Sequence, residues 1–381
     1  MKNFSFLFLF LLFPLLLNAQ VPSSAHVVVV LEENHSYSSV IGNSAMSYLN
    51  SLASQNVLAT QYYANTHPSI GNYFMLTTGQ IITNNDGFSS TVNVDNIVRH
   101  LLTAGKTWKS YAESLPYVGY TGGDTGAYLR HHNPFSYFSD VVNSNVEKLN
   151  LVPFTQFAKD LNNDQLPDFS FVIPDVNDDA HNGWLQQADS WLKANIAPVL
   201  SNPAFQKDGV LMIVFDESFT SDTAGGGGHV VTVVAGPHVK KGFKSTIHYQ
   251  HQNLLRTVMA AIGTGSYPGA AAGAAPMSDA FGSGTPPPPP GGCTASTIGV
   301  TVCAPAAGST DVSPVQIVAA AKSSAPITAM RIYVDSVSKF LTSSSSLNTS
   351  IAMSAGTHLL VVQAWDSTGA VFKNSRTIGV K

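Results

Sequence analysis

Three apolar runs in this chain each stop at a cluster of carboxylates, amides and imidazoles. HVVVVL runs into Glu32-Glu33-Asn34-His35. FSFVIP runs into Asp175-Val176-Asn177-Asp178-Asp179-Ala180-His181. VLMIVF runs into Asp216-Glu217, and GGGG leads to His229. Taken singly, each is an ordinary turn, because Asp and Asn commonly follow strands. Asp178-Asp179 alone reads as a helix cap, and Asp216-Glu217 as a solvated loop. Gathered on one sheet edge, like charges repel unless a cation sits among them, so the set points to a divalent metal site. Carboxylate, amide and imidazole donors suit zinc, manganese, calcium or magnesium, and the spacing does not choose among them.

A second stretch, THPSIGNYFMLTTG at residues 66–79, places Thr66 and Ser69 where a helix would begin. Helix capping accounts for such residues, and so does a nucleophile held against helix N-terminal amides. A serine hydroxyl is a weak nucleophile until a base or metal activates it. Eleven of the twelve histidines lie between His26 and His251, so the polar chemistry belongs to the part of the chain before residue 282. Asn34-His35-Ser36 also matches an N-glycosylation sequon, but a strand end facing a cleft is a poor acceptor.

The elements that must position these groups follow from hydrophobic pattern. Continuous apolar runs such as AHVVVVLE and VLMIVFDE predict parallel strands buried on both faces. VVTVVAGP repeats the pattern. VDNIVRHLLTAG, DSWLKANIAPVL and HQNLLRTVMAAIG read as helices between them, which predicts an α/β fold with a mostly parallel sheet over residues 21–282. The chain has 381 residues, 44% hydrophobic and 11% charged, with a formal net charge of −4, so no basic face for nucleic acid is evident. Residues 1–20 read as a secretory signal peptide and predict a secreted or periplasmic protein. Consecutive prolines in residues 283–292 read as a stiff linker. Short runs between Ser, Gly and Asp clusters in residues 293–381 predict a β-sandwich. Cys293 and Cys303 are the only cysteines, and in an exported protein they predict a disulfide.

VVVVLEENHSYSSVIG, THPSIGNYFMLTTG, KSYAESLP, RHHNPFSYF, FVIPDVNDDAHNG, FDES before GGGGHVVTVV, and YQHQNLLRTV together resemble the phosphoesterase family. It comprises bacterial and fungal acid phosphatases and phospholipases C, within the alkaline phosphatase superfamily. The resemblance spans roughly residues 26–263. It implies an alkaline-phosphatase-like sheet and a divalent cation held by Glu33, Asn34, Asp216, Glu217, His229 and Asp179. It further implies catalytic roles for Ser69, His181 and His132, and substrate contacts from Asn72, Asn133 and His251. Ser69, with Asn72 three residues on and Gly79 ten residues on, matches the superfamily's nucleophile position better than Thr66 does. Two departures are Gly71, where the family usually has proline, and Met259, where glutamate is common. Residues 293–381 resemble bacterial immunoglobulin-like modules, which implies a stalk or a cell-surface or polysaccharide contact.

The favoured function is a secreted phosphomonoesterase acting on a small-molecule or lipid-headgroup ester through a phosphoserine. Water would then hydrolyse the phosphoserine, with His181 or His229 as ligand or proton shuttle. A phospholipase C or other phosphodiesterase is the same-fold alternative. A non-catalytic surface-binding protein is the alternative of another class.

Overall fold

The computed structural model describes residues 21–282, 293, 295–311, 313 and 315–381. The signal peptide expected at residues 1–20 and the linker expected at 283–292 lie outside the described residues. The chain divides into two compact units, Met1–Gly284 and Thr285–Lys381.

Among the described residues of the first unit ten strands form, β1 (Val27–Glu32), β2 (Val57–Ala59), β3 (Tyr62–Tyr63), β4 (Trp108–Ala112), β5 (Leu151–Pro153), β6 (Phe169–Ile173), β7 (Val210–Phe215), β8 (Thr232–Ala235), β9 (Phe243–Ser245) and β10 (Tyr249–Gln250). Eight build one sheet in the order β5-β4-β6-β1-β7-β8-β2-β9, while β3 and β10 pair separately. The longer helices are α1 (Ser47–Gln55), α2 (Ser69–Thr78), α3 (Ile97–Thr103), α4 (Thr155–Asn162), α5 (Leu185–Asn195) and α6 (His251–Ile262). Every residue of β1, β6 and β7 is buried. Helices cover the sheet, which is why these strands carry no polar alternation. Each fully buried Val or Ile there contributes on the order of 1.5–3 kcal/mol.

The sheet is mixed and mostly parallel. β5, β4, β6, β1 and β7 run parallel to one another. β8 runs antiparallel to β7, pairing Leu211 with Ala235 and Val214 with Thr232. The chain returns from β7 to β8 without a crossover helix, and such a connection joins antiparallel strands. Register decides where the polar clusters go. Val30 sits between Val172 and Ile213, and Glu32 pairs with Phe215. The three central strands therefore end together, and residues 33, 174 and 216 leave the sheet along one edge. The segment read as one helix from residue 189 is interrupted. α5 stops at Asn195 and a shorter helix, Ala197–Ser201, carries Pro198 in its first turn, the position that proline tolerates.

The second unit holds β11 (Gly299–Ala304), β12 (Thr310–Asp311), β13 (Val315–Lys322), β14 (Ile327–Val334), β15 (Val337–Thr342), β16 (Ser346–Ile351), β17 (Gly356–Asp366) and β18 (Val371–Val380). They form sheets β11-β13-β16 and β12-β18-β17-β14-β15 around a core that includes Val302, Ile317, Ile332, Leu360 and Val362. This corrects the expectation of an immunoglobulin-like sandwich, because the region forms a curled half-barrel. Registers shift between Val302 and Ala304, between Ile327 and Ala329, and between Ile332 and Tyr333. Bulges of that kind bend a strand and increase its twist. Cys293 and Cys303 are disulfide-bonded. No helix among the described residues is long and apolar enough to cross a membrane.

Candidate metal centre

The centre is built at the common end of β1, β6 and β7. Asn34 adopts the left-handed region at φ 53°, which asparagine tolerates better than most residues, and the chain turns there immediately after Glu33. Beyond β6, Glu33 N–H donates to the Asp179 carbonyl at 2.8 Å, and Asp216 N–H donates to the Glu32 carbonyl at 2.9 Å. These backbone bonds fix the three carboxylate-bearing segments against one another. α2 then supplies Ser69 at its first position and ends at Gly79, whose φ of 67° is the left-handed cap that glycine favours.

Ser69 Oγ donates to Glu33 Oε2 at 3.2 Å. Tyr73, one helical turn on, donates to the other oxygen of Glu33 at 2.5 Å. His132 stacks on the Tyr73 ring with centroids 5.0 Å apart. Its Nε2 lies 3.4 Å from Glu33 Oε1 and its Nδ1 lies 3.6 Å from Asp179 Oδ2. Glu33, His132 and His181 each present a donor atom, all within 4.8 Å of one another. His181 is the exposed member, and its backbone N–H donates to Asp179 Oδ1 at 2.8 Å. Asp216 Oδ1 accepts the N–H groups of Glu217 at 2.6 Å and Asn34 at 3.4 Å.

The electrostatics ask for a cation. Burial, then the neighbouring Asp216 and Asp179, holds Glu33 well above the usual carboxylate range. Burial pushes Asp216 up to about 6 and Asp179 up to about 8. Burial and Asp216 together push Glu217 up to about 9. His132 offers no compensating charge, since burial and the neighbouring His181 lower it to about 3. Among the described residues no lysine or arginine pairs with these carboxylates. Buried Asp216 Oδ2, Asp179 Oδ2 and His132 Nε2 make no hydrogen bond. Unpaired buried ligand atoms of this kind fit a divalent ion, which takes the lone pairs and relieves the repulsion. A second carboxylate group, Glu113, Asp175 and Asp178, also has ligand spacing.

Other residues predicted from sequence take different places. Asn72 Oδ1 accepts the N–H groups of Asn65 and Thr66, and its Nδ2 donates to the Thr66 carbonyl at 2.8 Å and to Glu217 Oε2 at 3.4 Å. It pins the approach to α2 and reaches the centre. Asn133 is fully buried and accepts from Ser110 Oγ at 3.0 Å. Both nitrogens of His251 are occupied. Nε2 lies 2.7 Å from the Asp216 carbonyl and Nδ1 lies 3.1 Å from the Tyr62 hydroxyl. His251 therefore braces the Asp216 backbone. His229 stands outside the group, stacked between Tyr37 and Tyr63 with centroids 4.4 and 4.9 Å away. Its Nε2 lies 3.1 Å from the Thr60 carbonyl.

Sequence reasoning missed Tyr73 and His67. Tyr73 was within reach of it, since residues four apart share a helix face. His67 Nδ1 lies 3.1 Å from Glu217 Oε2, while its Nε2 donates to the Asp222 carbonyl at 2.9 Å. Nothing in its spacing announces that contact.

The pattern of the phosphoesterase family matches residues 43–263. The chain belongs to the phosphoesterase family. A phosphatidylinositol-3-phosphatase of Mycobacterium tuberculosis is 36% identical over 69% of this chain and 84% of its own length. A probable acid phosphatase of Kluyveromyces lactis is 33% identical over 61% of this chain and 56% of its own. An acid phosphatase of Aspergillus fumigatus is 31% identical over 60% and 52%. The chain thus spans most of the mycobacterial relative and about half of the fungal ones. A solved alkaline phosphatase superfamily protein from Vibrio parahaemolyticus matches 65% of this chain and 68% of its own, at 14% identity and a TM-score of 0.46. This phosphoesterase is a metal-dependent hydrolase of phosphoric ester bonds, related to acid phosphatases.

Proposed function

We propose that the enzyme is a secreted phosphomonoesterase that works through a phosphoserine at Ser69. The observation that carries this reading is the 3.2 Å hydrogen bond from Ser69 Oγ to buried Glu33 Oε2, made at the first residue of α2. The hydroxyl sits where helix amides receive anionic oxygens and where a carboxylate contacts its proton. A divalent cation held by Glu33, Asp216, Asp179 and His132 would neutralise these carboxylates and stabilise charge developing on the transferring phosphoryl group. Ser69 Oγ gives its proton to Glu33 Oε2 and forms a bond to phosphorus as the ester P–O bond breaks, and the leaving oxygen takes up a proton from solvent. Water then attacks the phosphoserine, releasing orthophosphate and restoring the hydroxyl. Asn72 keeps α2 in register with Glu217 throughout. His181, the exposed member of its group, would be the histidine open to a proton exchange with the departing alcohol.

The monoester reading draws support from relatives named as phosphatases, among them one named for a phosphatidylinositol phosphate. Export is supported by the apolar run at residues 1–20 and by the Cys293–Cys303 disulfide. The test compares p-nitrophenyl phosphate with its bis-ester, in the wild type and in Ser69→Ala. The monoester turns over faster, and Ser69→Ala loses at least roughly a thousandfold in kcat. Full activity in Ser69→Ala, or preference for the bis-ester, overturns the reading.

A further inference from the structure

The N-terminus of α2 already holds an anion. Asp86 Oδ1 accepts the Ile70 N–H at 3.2 Å, the amide next to the Ser69 hydroxyl. Pro68, the residue before the helix, supplies no side-chain acceptor. Amides in the first turn of a helix this long are the natural seat of phosphoryl oxygens, and a carboxylate oxygen takes one of them. Asp86 is half-buried, and among the described residues its carboxylate has no cationic partner. Its charge reaches Glu217 and His132 on other segments of the centre.

The chain is shaped to bring it there. An ideal Cβ on Gly71 would lie 2.4 Å from Asn84 Oδ1 and 2.5 Å from Thr66 Cγ2, with Ile81 Cγ2 at 3.3 Å. Glycine here lets the Asn84 and Ile81 side chains of the segment before Asp86 lie close against the first turn of α2. Proline, usual at this position in the family, would bring ring atoms against those side chains. Around Asp86 itself, Gly87 N–H donates to Asn85 Oδ1 at 3.0 Å and Asn85 N–H donates to Thr83 Oγ1 at 3.2 Å.

We propose that Asp86 determines specificity at the phosphoester site. Its carboxylate holds a place that a phosphoryl oxygen must take, so it competes with substrate and selects against leaving groups that bring further negative charge close to phosphorus. The preferred substrates are then phosphate esters of neutral or cationic alcohols. This rests on the reading of Ser69 as the attacking group at the start of α2.

The experiment uses the metal-loaded full chain. Orthophosphate affinity is measured by calorimetry, and KM and kcat are measured for phenyl phosphate and for 2-carboxyphenyl phosphate, whose extra carboxylate lies near phosphorus. In Asp86→Asn orthophosphate binds roughly tenfold tighter, the size expected when one charge-assisted hydrogen bond stops competing. The KM penalty of the carboxylated ester over phenyl phosphate shrinks by a similar factor, so the change falls in KM rather than kcat. Asn85→Ala, which loosens the turn but keeps the charge, moves both in the same direction by less. A residue that merely capped α2 would alter Tm and leave both ratios alone. Unchanged or weaker orthophosphate binding in Asp86→Asn overturns the proposal. If that variant does not fold, an unchanged ratio in Asn85→Ala does so. Calorimetry needs no turnover, so failure of the Ser69 reading in Ser69→Ala remains separate from failure of this one.

Discussion

Tyr73→Phe removes one oxygen from the centre and little else. The hydroxyl donates to Glu33 Oε1 at 2.5 Å, both residues are fully buried, and the ring stays stacked on His132. Phenylalanine keeps the ring and its packing, so the change isolates one hydrogen bond to a carboxylate. Bonds to charged groups contribute about 1.5–3 kcal/mol. Burial holds the Tyr73 hydroxyl well above its ordinary pKa, so it is a proton donor at every working pH. Without it, Glu33 Oε1 keeps only the His132 nitrogen at 3.4 Å and is free to swing from the position that a cation requires. Groups that orient a ligand in this way are typically worth about 10–100-fold in metal affinity, and that range matches the hydrogen-bond estimate at 1.4 kcal/mol per factor of ten. The assay is competition with a chelator of known affinity, alongside thermal unfolding of the metal-free and metal-loaded protein. Metal affinity should fall by roughly 10–100-fold, with a smaller Tm rise on metal addition. Wild-type metal affinity in a folded Tyr73→Phe protein would refute the reasoning, because Glu33 would then not depend on Tyr73 for its placement.

Removing divalent metal with a chelator should abolish turnover, and adding back one competent ion should restore it; activity indifferent to chelation counts against the carboxylate arrangement as a cation site. Asn72→Ala strips the acceptor from two backbone amides and the donor from the Thr66 carbonyl, so unfolding free energy in denaturant should drop by about 2–4 kcal/mol; a loss under about 0.5 kcal/mol would mean that water replaces it freely. In the second unit His358 Nδ1 lies 2.6 Å from Asp335 Oδ2, which raises His358 above 6.5 and lowers Asp335 below 3.8. The histidine contribution is fully present below pH 6.5 and is lost as pH rises through its raised value, while the aspartate contribution is lost as pH falls through its lowered one. Melting of the second unit should therefore move to lower temperature between pH 6 and pH 8, weakly because Asp335 is half exposed, and His358→Asn should flatten that slope.

What the sequence made legible follows the range of the interactions involved. Strands buried on both faces carry an unbroken apolar signal, so VVVVL, FSFVI and VLMIVF could be placed and their polar ends paired with a parallel sheet. Register then does the rest, because Glu32 opposite Phe215 leaves Glu33 and Asp216 little freedom but to meet. The curl of the second unit depends on bulges such as that between Val302 and Ala304. Those arise from partner strands far along the chain, and single-strand patterns of a sandwich and a half-barrel look alike. His229 illustrates the same limit. It follows a glycine run in which Gly228 has φ 87° and an ideal Cβ would lie 1.7 Å from Ser218 Oγ, so the loop's path is set by backbone freedom that residue spacing does not encode. The ring then settles between Tyr37 and Tyr63.

The centre therefore joins two kinds of residue that differ in how sequence exposes them. Glu33, Asp179 and Asp216 sit within a few residues of regular strands, and their positions are inherited from the sheet. His67, Tyr73 and Asp86 support or contest those positions from loops and from one helical face. A carboxylate that ends a strand needs something to hold its oxygens, since burial alone would protonate it. In this protein Tyr73 and Ser69 hold Glu33, while His67 and Asn72 approach Glu217. α2 carries three of those four groups or, for His67, the turn that opens it. A single ten-residue helix thus sets both the attacking hydroxyl and the orientation of the carboxylates facing it, so substitutions that shift α2 should disturb metal affinity and turnover together rather than one at a time.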